Sequence, residues 1–156
     1  EKLNFFSDWA CKGQEIKNEM LFLVDEDTRS FNAIIDAIRL PKEPDEEKKF
    51  RLDSIENASQ YAAEVPFKVM QTSARTIDII KAMIENGNKA SITDAGVGAL
   101  CCITAIEGAY MNIRVNTKDL SDTNFAKTLN QKAYTVLQES KGELQALVEA
   151  VHQQIS

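Results

Sequence analysis

The chain has 156 residues, 24 of them Asp or Glu and 18 Lys or Arg, giving a formal net charge of −6 with its single histidine neutral. That length fits one domain with 44% apolar residues to line its core, and the lone histidine, His152, removes His-ligated metal sites and the Ser/His/Asp and Cys/His constellations. The acidic balance without a basic tract argues against nucleic acid and anionic membranes as partners, and the uncharged stretch from Ala95 to Ile106 falls short of the roughly 20 residues a bilayer requires.

In chain order, the first helix is predicted from about Leu3 to Arg39, ending at Leu40-Pro41-Lys42-Glu43-Pro44, because a residue before proline is pushed out of helical geometry. The second runs from Asp45 to Asn86, with Asp45, Glu46 and Glu47 suited to its N-terminus, a kink expected at Pro66, and Gly87 supplying a left-handed terminating residue. The third begins at Ser91, whose hydroxyl is expected to cap the first turn with Asp94 as a short capping box, and ends near Arg114. After a connection containing Asn116, Asp119 and Ser121, the fourth carries Phe125, Leu129, Val136, Leu144, Leu147 and Val151 towards His152. Four long helices with short connections predict an all-α, up-down bundle. The three cysteines, Cys11, Cys101 and Cys102, are odd in number and badly spaced for a disulfide framework. With no signal-peptide pattern, they point to a reducing, cytoplasmic setting. The helical pattern opens at Glu1-Lys2-Leu3 without a cap, which points to sequence upstream.

On the first helix Met20, Leu23, Val24, Phe31, Ile34, Ile35 and Ile38 form a stripe at three- and four-residue steps, which reads as the core-facing side. Asp27 falls inside that stripe, whereas Asp25 is about 200° around the helix and faces away. A carboxylate against apolar neighbours has its charged form penalised, which raises its pKa towards the range useful for proton transfer, so Asp27 is the first candidate acid or base. The structural alternative is a buried Asp paired with an Arg or capping a neighbouring helix.

On the third helix Asp94, Gly98, Cys101, Ala105, Gly108 and Asn112 follow at helical steps and leave one face nearly flat. Such a face permits close packing of another helix, as at a dimer interface, or a groove for a planar ligand. Cys101-Cys102 is no metal motif, and both read as small core residues. Asn112-Ile113-Arg114-Val115-Asn116 sets two amides and a guanidinium at a helix end, suited to an amide-rich heterocycle or a carboxylate, although capping explains it as well. The run Glu43 to Arg51 reads as a solvated helix start, and Trp9 and Phe5 as core or interface residues.

Together these segments resemble the cyclodeaminase domain of the formiminotransferase-cyclodeaminase family, which also includes methenyltetrahydrofolate cyclohydrolases. The resemblance runs through Leu23-Val24-Asp25-Glu26-Asp27, Phe31, Arg39-Leu40-Pro41-Lys42, Glu46-Glu47-Lys48, Val65-Pro66, Gly87-Asn88, Ser91, Asp94 and Gly108 to Asn116. It implies an all-helical, dimer-forming fold over residues 1–156 with folate bound between subunits. The activity implied is closure of 5-formiminotetrahydrofolate to 5,10-methenyltetrahydrofolate with loss of ammonia, with Asp27 as proton acceptor. No prosthetic group or metal is implied; the tetrahydrofolate derivative is substrate, and a formiminotransferase domain or chain is a possible partner. Asn88, Asp94, Asn112 and Asn116 would help place the pteridine, and Arg114 would meet a substrate carboxylate. The family's Pro-Gly-Gly-Gly-Ser segment and additional first helix are not in this sequence. A cyclohydrolase, or a helical dimerisation module without catalysis, are the alternatives.

Overall fold

A computed structural model describes residues 2–156, with side chains from residue 6 onward, so Phe5 lies outside the described side chains. The elements are α1 (Lys2–Arg39), α2 (Asp45–Ala74), α3 (Thr76–Asn86), a short 3-10 turn (Lys89–Ser91), α4 (Ile92–Asn116) and α5 (Thr123–Ile155). Among the described residues there is no strand.

The long helices alternate in direction, as short connections require. Arg51 Nε donates to the Ile38 carbonyl at 3.1 Å and Thr72 Oγ1 to Glu19 at 2.8 Å, so α1 and α2 run antiparallel. Asn116 Nδ2 donates to the Ala62 carbonyl and Cys102 Sγ to that of Ser73, which sets α4 antiparallel to α2. Asn130 to Thr117 and Lys141 to Glu107 do the same for α5 and α4. The most extensive packing of α2 is against α1 and α4, and α4 also packs against α5 and α3. The core between them is sealed by Ala63, Met70, Ala99, Ile106, Ile113, Ala133 and Leu144. Alanines at three of these positions let helix axes approach closely.

Several local expectations are corrected. The single helix expected from Asp45 to Asn86 is two, α2 with Pro66 inside it and α3, parted at Arg75. There the Ser73 carbonyl accepts from Thr76 Oγ1 at 2.7 Å and Cys102 Sγ at 3.1 Å, so side chains take over an acceptor at the helix end. Gly87 is not left-handed: its φ of −71° and ψ of 179° are extended. Glycine is needed for space, because a Cβ there would lie 2.3 Å from the Met83 carbonyl oxygen. Ser91 makes no side-chain cap; Asn88 Oδ1 instead accepts from the Ala90 amide at 3.0 Å. The α5 cap is Asp122, which accepts from the Asn124 and Phe125 amides. Of the cysteine pair, Cys102 is buried and Cys101 exposed.

The buried seam of α1 is not the stripe of largest apolar residues. Among its described side chains Ile16, Leu23, Ser30 and Ala37, seven residues apart, are the buried ones, a spacing that keeps one line of side chains against α2. Val24 and Phe31, 65% and 61% exposed, stand on the outer side with Ile38, so three of the seven residues of the predicted core stripe face away from the chain's own core, while Leu23 is buried and Met20, Ile34 and Ile35 are half-buried. The segment Lys89–Asn116, with mean hydropathy 1.3 in its richest window, is long and apolar enough to cross a membrane by length and composition. That exceeds the span estimated from its uncharged stretch alone. In the bundle, however, Ala99, Ile106 and Ile113 of this segment are shut inside the core and Glu107 is paired with Lys141.

Candidate functional site

Asp27 is exposed on the outer side of α1, beside Val24 and Phe31. The enclosure that the stripe predicts for it is not supplied by this chain, because Asp27, at the edge of the seam opposite Glu26, points past α2 to the exposed face. Its neighbour Glu26 turns towards α2. There it accepts the Tyr61 hydroxyl and pairs with Arg29, with Lys68 Nζ standing 5.9 Å from the centre of the Tyr61 ring. The Tyr61 hydroxyl, then Arg29, hold the Glu26 carboxyl below the usual carboxylate range, and Glu26 in turn pushes the Tyr61 phenol up. One heptad earlier Glu19 accepts from Thr72 and pairs with Arg75, which lower its pKa likewise.

The small face of α4 also opens outward. A Cβ added at Gly98 or Gly108 would meet nothing within 4 Å. Around these glycines Val97, Leu100, Met111 and Val115 are exposed, the last by 71%, and so are Cys101 and Asn112.

The predicted site residues fall into three groups. Asn88 and Asp94 line one apolar groove of about 340 Å³ between α3 and α4, together with Ile79, Met83 and Gly98. A larger cleft of about 830 Å³ shares Met83, Gly87 and Asn88 with it and reaches Phe6 and Leu147. Asn112 and Arg114 are exposed at the far end of α4, about 27 Å along the helix from Asp94 at 1.5 Å per residue. Asn116, in contrast, is spent on the Ala62 carbonyl at 2.8 Å and ties α4 to α2. Asp27 forms the third group. Because Glu26 meets Tyr61 while Asn116 meets Ala62, Asp27 and the C-terminal end of α4 lie at the same height, on either side of one turn of α2.

Sequence reasoning missed Tyr61, Glu26 and the Glu19–Thr72–Arg75 cluster. The available signal was the seven-residue spacing of Ile16, Leu23, Ser30 and Ala37, which puts Glu19 and Glu26 at the edge of a helix seam. Among the described residues, no three His, Cys, Asp or Glu side chains are placed to hold a metal ion. What the geometry offers is an accessible carboxylate on an apolar helix face and an apolar groove edged by an amide and a second carboxylate.

A family model described as formiminotransferase-cyclodeaminase matches residues 4–135. The chain belongs to that family. It is 32% identical over 123 residues to the formimidoyltransferase-cyclodeaminase of Mus musculus, a match that covers 79% of the chain but only 23% of the mouse protein. It is also 29% identical over 145 residues to a methenyltetrahydrofolate cyclohydrolase of Methylorubrum extorquens, covering 93% of the chain and 70% of that protein. The chain therefore spans about a quarter of the length of the bifunctional relatives it matches. In three dimensions it resembles the formiminotetrahydrofolate cyclodeaminase of Thermotoga maritima, with a TM-score of 0.67 and 20% identity over 90% of this chain and 64% of that one. That likeness establishes the all-helical cyclodeaminase fold.

Proposed function

We propose that the chain is a folate-processing cyclodeaminase that closes 5-formiminotetrahydrofolate to 5,10-methenyltetrahydrofolate and releases ammonia. The observation that carries this reading is the family match over residues 4–135, which takes in Asp27, whose carboxylate stands accessible on an apolar helix face. Nitrogen-10 attacks the amidinium carbon held on nitrogen-5. Asp27 takes the proton from nitrogen-10 and delivers it to the amine of the tetrahedral adduct, which departs as ammonia. This sequence requires a single carboxylate and close placement of the two nitrogens, which itself accounts for much of the acceleration in such cyclisations.

A second copy of the chain, laid over the outer faces of α1 and α4, would exclude water around Asp27 and bury Val24, Phe31, Met111 and Val115. In this reading the folate lies between subunits, with Asn88, Asp94 and Asn112 towards the pteridine and Arg114 towards a carboxylate. Asn116 contributes by holding the α4 terminus against α2. The setting is cytoplasmic, with no prosthetic group.

A cyclohydrolase is the second reading, favoured by the Methylorubrum relative that matches nearly the whole chain. There water would add to the methenyl carbon with Asp27 as its base. The deciding experiment incubates the purified chain separately with 5-formiminotetrahydrofolate and with 5,10-methenyltetrahydrofolate, following near-ultraviolet absorbance and ammonia. Methenyl absorbance and ammonia rising together on the first substrate establish the cyclodeaminase; decay of the second without ammonia establishes the cyclohydrolase. Silence from a folded oligomer on both rejects catalysis by this chain alone and leaves the dimerisation module. In the active case Asp27→Asn should lower kcat by at least about 10²-fold with helicity and oligomer size unchanged.

A further inference from the structure

We propose that Tyr61 is a positioning residue for Asp27, acting through the Glu26 carboxylate; this rests on the reading of Asp27 as proton acceptor. α1 leans chiefly on α2, along the seam Ile16, Leu23, Ser30 and Ala37, whose two members C-terminal to Asp27, Ser30 and Ala37, are small. Such a seam resists separation better than rotation, because small residues interlock weakly. Rotation is checked by directional bonds at the seam's edge. Next to Asp27 that bond is the Tyr61 hydroxyl on Glu26, whose side chain is only 15% exposed and is also held by Arg29.

Adjacent helix positions are about 100° apart, so anchoring Glu26 against α2 fixes the direction in which Asp27 projects. A rotation of about 10° at about 6 Å from the helix axis would move the Asp27 carboxylate by about 1 Å. A displacement of that size costs on the order of 10²-fold in a reaction that depends on near-attack geometry. Glu19, pinned to Thr72 and Arg75, makes a bond of the same kind about 12 Å back along the helix, too far to govern the Asp27 turn as tightly.

The test is steady-state kinetics of the full chain on 5-formiminotetrahydrofolate, with circular dichroism and urea unfolding of each variant. Tyr61→Phe keeps the ring and deletes the hydroxyl; it should lower kcat by about 30-fold and leave KM within twofold. Thr72→Val, the equivalent deletion at Glu19, should cost similar stability yet keep kcat within twofold. Glu26→Gln, which still accepts from Tyr61, should retain most of the kcat that Glu26→Ala loses, and this pair decides the matter should Tyr61→Phe fail to fold. Unchanged kcat in Tyr61→Phe beside an inactive Asp27→Asn overturns the inference and spares the reading of Asp27. Equal kcat losses in Tyr61→Phe and Thr72→Val, a raised KM alone, or no rescue by Glu26→Gln also overturn it. Turnover surviving Asp27→Asn, or absent from the unaltered chain on 5-formiminotetrahydrofolate and 5,10-methenyltetrahydrofolate alike, overturns both.

Discussion

α4 and α5 lie side by side and are built on opposite plans. α5 buries Leu129, Ala133, Leu137 and Leu144 on one side and shows mostly Lys, Glu and Gln on the other, with only Tyr134 and Ile155 as large apolar side chains left exposed, so most of its apolar surface is used within the chain. α4 buries Ala99, Ile106 and Ile113 yet keeps Val97, Leu100, Met111 and Val115 outside, around glycines with open space above them. The difference teaches that the fold of the single chain needs only half of α4. The other half is cut for something that comes close: a helix, a flat ligand, or both.

That comparison can be broken from either side. The largest effect should come from the buried half: Ile113→Ala leaves a cavity and should cost about 3 kcal/mol in urea unfolding, matched by Leu144→Ala on α5. Equal tolerance of Ile113→Ala and Met111→Ala would show that the two halves of α4 are not distinct. Next, Gly87→Ala at the entry to the α4 turn should cost about 2 kcal/mol, since its Cβ would collide with the Met83 carbonyl rather than with a yielding side chain. On the open half Gly108→Leu should leave the unfolding free energy within about 1 kcal/mol, because a leucine there has room and a better helix propensity. Sedimentation or folate titration should register the change instead, as a smaller particle or weaker binding; if neither moves, the open half is plain surface.

The smallest effect concerns the turn that joins α4 to α5. Glu56 accepts from the Ser121 and Asp122 amides at 3.0 Å, and the Asp122 amide is the foremost cause holding its carboxyl below the ordinary glutamate value of 4.5. A carboxyl lowered in the folded state adds stability that is fully present above the unfolded value and is lost as pH falls through the folded one. Urea midpoints should therefore hold steady above pH 4.5 and decline below it, and Glu56→Gln should make that decline shallower.

Fold class was legible because the breaks are chemical: Pro41 and Pro44 end α1, and the Gly87–Ser91 corner separates α3 from α4. The orientation of α1 was not, for a reason that periodicity cannot resolve. The helix carries two seven-residue series one position apart, Ile16-Leu23-Ser30-Ala37 and Val24-Phe31-Ile38. Hydrophobicity favours the second, yet α2 takes the first, because small side chains admit a closer neighbour. Asp27 was consequently singled out by spacing within the right helix and read as enclosed, although it stands at the exposed edge of the seam. The same ambiguity exchanged Cys101 for a core residue. Asn88 and Asp94 share one groove, whereas Asn116 could not have been recognised as a tie to Ala62 from local sequence, since its partner lies 54 positions away.

The lopsided support of α1 has a consequence for motion. α4 is gripped by α2, α3 and α5, while α1 rests chiefly on α2 and more lightly on α3. Amide hydrogen exchange should therefore divide the chain into two cooperative units, with α1 opening sub-globally while α4 and α5 exchange only through complete unfolding. Whatever settles on the outer face of α1 would then act as a clasp, slowing exchange along the helix that carries Asp27 and leaving the rest of the bundle at its own pace.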